Sequence, residues 1–387
     1  MNPSHNSIYL DNAAATPLDP RVLKSMMPYL ESDFYNPSAL YGPAQRAKQA
    51  IEEARVLAAK QIGVKPFELT FTAGATESIN ILIYGVMKQY GGEIVTTAIE
   101  HDAVLAAARR HAVIEVSVDE RGYLAAGSIE AALTSETTLV SVGYVNNELG
   151  VVQSLRDVAA VIAAERQRRL RDNESRPLFF HTDASQAAGL LDISVSRLGV
   201  DAMSLNASKC YGPKQVGLLY KSPEIEIEPL IVGGGQENGL RSGTENVAGV
   251  VGFAQALELA NEQRKIESHR IAELRDILQK NLTQRIPGLV INGHKKRRAP
   301  HILHISVPGL DGERAVFALD QVGIYAATGS ACAANRMSRS HVLESVGMNT
   351  QLADGSLRLS LGRFTTEQEV QSAGKTIPDI ITKELQL

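Results

Sequence analysis

The sequence predicts an α/β protein, with a large domain built on a mainly parallel sheet flanked by helices and a smaller α+β domain. Three observations carry this reading. From about residue 45 to 220, helix-period and strand-like segments alternate. The strand-like segments are short, continuous apolar runs, as expected of strands covered on both faces. After about residue 260 the regular alternation stops.

The elements follow in order. Ala47, Ala50, Ile51, Ala54, Leu57 and Ala58 share one helix face by their three-and-four spacing. A strand over 68–72 leads through a Gly-containing turn into a second helix over about 77–90. Buried strands are predicted at 94–97, 113–118, 139–145, 178–181 and 202–205. Farther on, Ile271, Leu274, Leu278 and Leu282 form a helical stripe that stops before Pro287-Gly288. Short strands at 289–291, 302–307 and 357–361 interleave with helices at about 313–322, 341–346 and 367–385. The predicted division is 15–260 for the large domain and 1–14 with 261–387 for the small one. The charged segment 164–176, with its Arg-rich patch, reads as a surface element.

A chain of 387 residues with 44% hydrophobic content can bury one large core and a smaller second one. Its net charge of −4 gives no long-range pull toward nucleic acid or an anionic membrane, so neither is an expected partner. The basic run Lys295-Lys296-Arg297-Arg298 could serve as a localisation signal or touch an acidic partner; the reading adopted is a solvated loop tip before Pro300. No apolar stretch reaches the roughly 18 residues of a membrane span. The first residues show neither a basic start nor an apolar leader, so a cytoplasmic location is expected. Two cysteines make no disulfide framework, and no Cys-x-x-Cys or His-Glu-x-x-His spacing suggests a metal.

The candidate functional residues Thr76, His101, Asn147, Asp183 and Lys209 lie just after predicted strand ends, where ligands gather in open α/β sheets. Lys209 stands 26 positions after Asp183. A strand-end Asp followed by a lysine among small residues suits pyridoxal phosphate chemistry. The amine can hold the cofactor as a Schiff base while the carboxylate keeps the pyridine nitrogen protonated. Gly74-Ala75-Thr76-Glu77-Ser78, between a strand and a helix, offers backbone N–H groups and a hydroxyl to a phosphate. Singly these residues are ordinary caps and a surface lysine; together they point to a cofactor site. Cys332, in Thr-Gly-Ser-Ala-Cys, adds sulfur chemistry. The polar 331–340 segment is a poor place to bury a thiol, and Arg336 and Arg339 could lower its pKa. Cys210 is expected to pack under the cofactor.

Nine segments, in order, carry a resemblance. They are Tyr-Leu-Asp-Asn-Ala-Ala-Ala-Thr-Pro (9–17), Thr-Ala-Gly-Ala-Thr-Glu-Ser (72–78), Glu-His (100–101), Val-Asn-Asn-Glu-Leu-Gly (145–150) and His-Thr-Asp-Ala-Ser-Gln (181–186). Lys-Cys-Tyr-Gly-Pro-Lys (209–214), Arg-Ser-Gly-Thr-Glu-Asn (241–246), Gly-Ser-Ala-Cys (329–332) and Leu-Arg-Leu-Ser-Leu-Gly-Arg (357–363) complete the set. The chain resembles the cysteine desulfurases of iron–sulfur-cluster assembly, within the fold-type I, class V aminotransferase-like pyridoxal phosphate enzymes.

The resemblance implies that Lys209 binds the cofactor and acts as base on the substrate, and that His101 stacks on the ring and helps move protons. It implies that Asp183 pairs with the ring nitrogen, that Gln186 and Asn147 lie near the phenolic oxygen, and that Ala75, Thr76, Asn206 and Ser208 line the phosphate. Thr244 would reach the phosphate of the other subunit, implying a homodimer with shared active sites. Arg358, with Asn147, would bind the L-cysteine carboxylate; the alternative for Arg358 is a surface arginine on an edge strand. Cys332 would take the sulfur and pass it to a scaffold or carrier protein. The chain departs from the family at Ser208, where His is usual, and at Asn206, where Ser is common; weaker cofactor retention is the expected result. The alternative on the same fold is an aminotransferase or a selenocysteine or cystine lyase that does not need Cys332.

Overall fold

The computed structural model describes residues 7–329 and 339–386. The chain opens with a short strand β1 (Ile8–Tyr9) and then contributes seven strands to one sheet. These are β2 (Leu69–Thr72), β3 (Glu93–Thr97), β4 (Ala112–Val116), β5 (Thr137–Ser141), β6 (Phe179–Asp183), β7 (Ala202–Asn206) and β8 (Gly217–Lys221). Their order across the sheet is β2-β8-β7-β6-β5-β3-β4. All neighbours pair in parallel except β8, which runs antiparallel to both β2 and β7. The α/β expectation holds, but β8 was not foreseen.

Helices cover the sheet because its strands are apolar on both faces. Gly42–Ile62, Leu155–Arg171 and the first half of Val247–Arg285 enclose one core, which includes the fully buried Phe180 and Phe253. Ala75–Tyr90 and Asp102–Ala108 close the other face over Ile94, Leu139 and Leu219. Each large side chain so buried contributes roughly 1.5–3 kcal/mol.

A second sheet is formed by β9 (Val290–Ile291), β10 (Ile302–Ser306), β12 (Ala327–Thr328) and β13 (Ser356–Ser360), in the antiparallel order β12-β13-β10-β9. β11 (Ile324–Tyr325) instead pairs in parallel with β1, bringing the first described residues to this part of the molecule. Gly312–Gln321, Glu367–Glu384 and the second half of Val247–Arg285 supply its apolar cover.

Four local readings change. The stripe from Ile271 to Leu282 is not a separate helix but the end of one 39-residue helix that begins at Val247 and feeds both cores. Its start is capped by the Asn246 side chain, which accepts from Gly249 N at 3.0 Å. The 139–145 strand is regular only to Ser141, although Val142 N and Tyr144 N continue to bond β6 carbonyls. At Gly143 the backbone N–H turns to the Glu100 carboxylate instead. The Arg-rich segment is not wholly superficial, since Arg169 is buried and donates to the Thr134 carbonyl at 2.8 Å. Nor is the basic run a free loop tip: Val152 N donates to Arg297 O at 2.9 Å and Ala299 N to Gly150 O at 2.7 Å.

Candidate active site

The carboxyl ends of the parallel strands open into one cavity of about 250 Å³. Ala75, Thr76, His101, Asn147, Asp183, Gln186, Asn206, Lys209 and Arg358 all line it. Their convergence follows from topology: each lies at or just after the end of a strand, and Arg358 arrives from the second sheet.

Ala75 and Thr76 open the helix Ala75–Tyr90, whose first-turn N–H groups have no intrahelical acceptor. Gly74 precedes them at φ 144°, a conformation that favours glycine. Glu77 ties down this turn by accepting from Ala73 N at 3.0 Å and Arg241 Nε at 2.6 Å. Three strands across the sheet, Asp183 ends β6 and accepts from Ser185 N at 2.9 Å. Ser185 also lines the cavity, and its buried hydroxyl has no partner among the described residues.

Beyond β7, the Asn206 side chain caps the short turn Ala207–Lys209. That turn carries the Lys209 amine to the carbonyls of Ala13, at 3.0 Å, and Ala14. Gln186 donates to the same Ala13 carbonyl at 2.9 Å, and its own oxygen meets His301 Nε2 at 3.2 Å. Burial, with the Arg358 charge second, pulls His301 down to about 3, so it is neutral here. His101 begins the helix Asp102–Ala108, and its Nδ1 accepts from Ala103 N at 3.0 Å. Nε2 therefore carries the proton of the neutral ring.

Arg358 lies on β13, between β12 and β10, and is only 2% exposed. That disposes of the surface-arginine alternative. It donates to Asp11 Oδ1 at 2.8 Å and to the Asn147 carbonyl at 3.0 Å, while its Nε has no partner among the described residues.

Two expected residues stand apart. Ser208 does not line the cavity: its N–H and hydroxyl both donate to Asn206 Oδ1, at 3.2 and 3.0 Å. A short side chain next to an amide oxygen satisfies itself locally. Thr244 is exposed and is not part of this wall. Cys332 and Arg336 lie outside the described residues. Arg339 pairs with Asp354 at 2.9 Å. Cys210 is buried, and burial pushes its thiol up to about 12, so it packs rather than reacts.

Sequence reasoning missed two acids in the floor of the cavity. Glu100 accepts from Gly143 N and from Thr97 Oγ1, yet complete burial raises it to about 7. Burial raises Glu148 to about 7 as well; Ser340 Oγ donates to it at 2.5 Å. His341 Nε2 donates to the Glu100 carbonyl at 2.8 Å, so the start of His341–Ser345 is tied to the floor twice. Both acids sit inside motifs at 100–101 and 145–150, beside residues already singled out, and that adjacency was the available signal.

A profile of the Aminotransferase class-V family matches residues 8–372. The chain belongs to this family. Within the class-V aminotransferases it groups with the cysteine desulfurases. Cysteine desulfurase IscS of Clostridium botulinum (strain Hall) is 38% identical over 99% of this chain and 96% of its own length. The cysteine desulfurase of Mus musculus is 39% identical over 94% of this chain and 79% of its own. Among solved structures, a NifS-like protein superposes with a TM-score of 0.89 at 35% identity, covering 97% of this chain and all of its own. A structure of SspA in complex with cysteine superposes with a TM-score of 0.79 at 32% identity, over 93% of this chain and 100% of its own. The resemblance read from nine motifs is therefore borne out, as is the fold. Class-V aminotransferases and cysteine desulfurases are pyridoxal phosphate enzymes. No helix among the described residues is long and apolar enough to cross a membrane.

Proposed function

We propose that this protein is a cysteine desulfurase that removes sulfur from L-cysteine, releases L-alanine and delivers the sulfur to an acceptor protein, for iron–sulfur cluster or other thio-cofactor assembly. The observation that carries this reading is that Lys209, Asp183 and Arg358 face one cavity in a chain of this family. The residues fit pyridoxal phosphate: helix-end N–H donors suit a phosphate, Asp183 a ring nitrogen, and Lys209 an aldehyde, with the unpartnered Ser185 hydroxyl near by. Ala75, Thr76 and Asn206 would hold the phosphate end, while Gln186 and Asn147 would flank the ring oxygen. When bound, the cofactor supplies an electron sink for the pair left at the substrate's α-carbon.

The protein's own side chains do the rest. The Arg358 guanidinium, pre-oriented by Asp11 and the Asn147 carbonyl, would grip the substrate carboxylate. The Lys209 amine would take the α-proton, and His101 Nε2 would exchange a proton with the substrate side chain. Cys332 thiolate would attack the substrate sulfur. The Cβ–S bond breaks, the sulfur stays on Cys332 as a persulfide, the electron pair left at Cβ takes up a proton, and return of a proton from the Lys209 ammonium to the α-carbon gives alanine. Thr244, exposed and outside the cavity of its own chain, would serve the phosphate site of a second subunit. A homodimer, a cytoplasmic setting and the 15–260 and 1–14 with 261–387 domain division complete the proposal.

The experiment is alanine and enzyme-bound persulfide formation from L-cysteine by the cofactor-loaded protein, beside Cys332→Ala. The expected result is both products from the parent and no persulfide from the variant. Alanine formation undiminished in the variant would instead indicate a lyase, and no alanine from the parent would sink the reading.

A further inference from the structure

The basic run at 295–298 has no part in the cavity. The backbone around it is pinned to the hairpin that carries Asn146 to Gln153, through the Val152–Arg297 and Ala299–Gly150 bonds. The His294 ring holds the turn by accepting from Lys296 N and Arg297 N, at 3.1 and 2.9 Å. The Arg297 guanidinium lies 4.5 Å over the Tyr123 ring. A run that merely solvates a loop needs none of this order.

Pinned in this way, the run forms one bank of a groove whose other bank is the middle of Val247–Arg285. The groove consists of two adjoining hollows of about 620 and 830 Å³, which share Tyr144, Leu191, Asp192, Lys296 and Arg298. Arg264, Lys265, Arg275, Lys295, Lys296 and Arg298 line the first hollow, and Arg156, Arg197 and Arg297 join in the second. The lining carboxylates among the described residues are Asp192 and Asp276, and each is already shared by two guanidiniums. Arg275 and Arg298 both reach Asp276, at 2.8 and 2.7 Å. Arg197 and Arg264 both reach Asp192, at 2.5 and 3.8 Å. Arg156, Lys265, Lys295 and Lys296 are exposed. Strong positive charge is thus concentrated on one face of a chain whose net charge is −4.

We propose that this groove is a docking surface for an acidic, partly apolar polypeptide segment of a partner protein. Charge complementarity selects the acidic character. The apolar character follows from the half-buried Leu190 and Leu191, which line the groove beside the cations and would suit an apolar side chain better than a phosphate. The overall negative charge also repels a long polyanion at range, whereas a short acidic segment meets mainly the local field. Gln153 lines both this groove and the catalytic cavity, so an occupant would rest against the back of the cavity wall.

The test is fluorescence anisotropy of a labelled alternating Glu/Leu peptide with the cofactor-loaded protein, at low and physiological salt. A Lys/Leu peptide and a single-stranded oligonucleotide serve as comparison probes. The Glu/Leu peptide should bind, weaken with salt, and lose about tenfold or more in affinity in the Lys265→Glu, Lys295→Glu, Lys296→Glu triple variant, with alanine production unchanged. The Lys→Gln triple variant, which adds no repulsion, should lose less and replaces the first if that fails to fold. Unchanged peptide binding in a folded variant, or preferential binding of the oligonucleotide, would overturn the proposal. A change of oligomeric state on charge reversal would also overturn it, by making the groove a contact between copies of this chain.

Discussion

Replacing Glu148 with glutamine should flatten the pH dependence of stability in a calculable way. Burial raises the Glu148 carboxyl from 4.5 to about 7 in the folded protein. A group raised in this way contributes stability that is whole below the unfolded value and is lost as pH rises toward the folded one. Each pH unit between the two costs about 1.4 kcal/mol. Between about pH 5.5 and 8.5 the loss runs over the interval up to about 7, which amounts to about 2 kcal/mol. The glutamine amide can still accept from Ser340 but cannot ionise, so the variant escapes this loss. Glu100, also raised to about 7, adds the same slope to both proteins and cancels in the difference. The assay is guanidinium unfolding of parent and Glu148→Gln at the two pH values. The variant should gain about 2 kcal/mol on the parent in going from the lower pH to the higher. Equal pH slopes in the two proteins would refute the argument that Glu148 is driven toward neutrality by its surroundings.

Three further outcomes follow from the cavity. Arg358→Lys should raise the KM for L-cysteine by roughly tenfold or more, because an ammonium cannot form the two parallel bonds of a guanidinium; a steady-state titration that leaves KM unmoved would remove Arg358 from the carboxylate site. Asp183→Asn should lower kcat by about a hundredfold or more, since an amide cannot stabilise a protonated ring nitrogen; parent-like turnover would count against the pairing. Ser208→His should tighten cofactor retention, measured by the rate at which the yellow absorbance is lost on dialysis, and a marked fall in affinity would show that the position has been misread.

Much of the site was legible because its residues occupy strand ends, and strand ends are marked by apolar runs that stop. Asp183 and Lys209 could be paired on that ground alone. What escaped was the geometry contributed by burial. Glu100 and Glu148 look like ordinary polar neighbours of His101 and Asn147 until the fold excludes water from them. The self-contained Ser208–Asn206 pair was likewise hidden, because a hydroxyl and an amide two residues apart can each face the cavity or each other, and sequence spacing does not choose. The long helix was not read as one element because no residue between Ala260 and Ile271 is buried, which separates the stretch that covers the large sheet from the stripe that covers the small one. Periodicity reports the stripe, not the continuity of the backbone beneath it.

That helix has a mechanical consequence. At about 1.5 Å per residue it forms a strut roughly 58 Å long, cemented at one end into the layer that holds the amine and at the other into the layer that holds the arginine clamp. The gap between those two groups is thus spanned by one continuous helix as well as by the direct bonds from Arg358 to Asp11 and the Asn147 carbonyl. Whatever bends the strut detunes the spacing between amine and clamp, however well each half survives on its own.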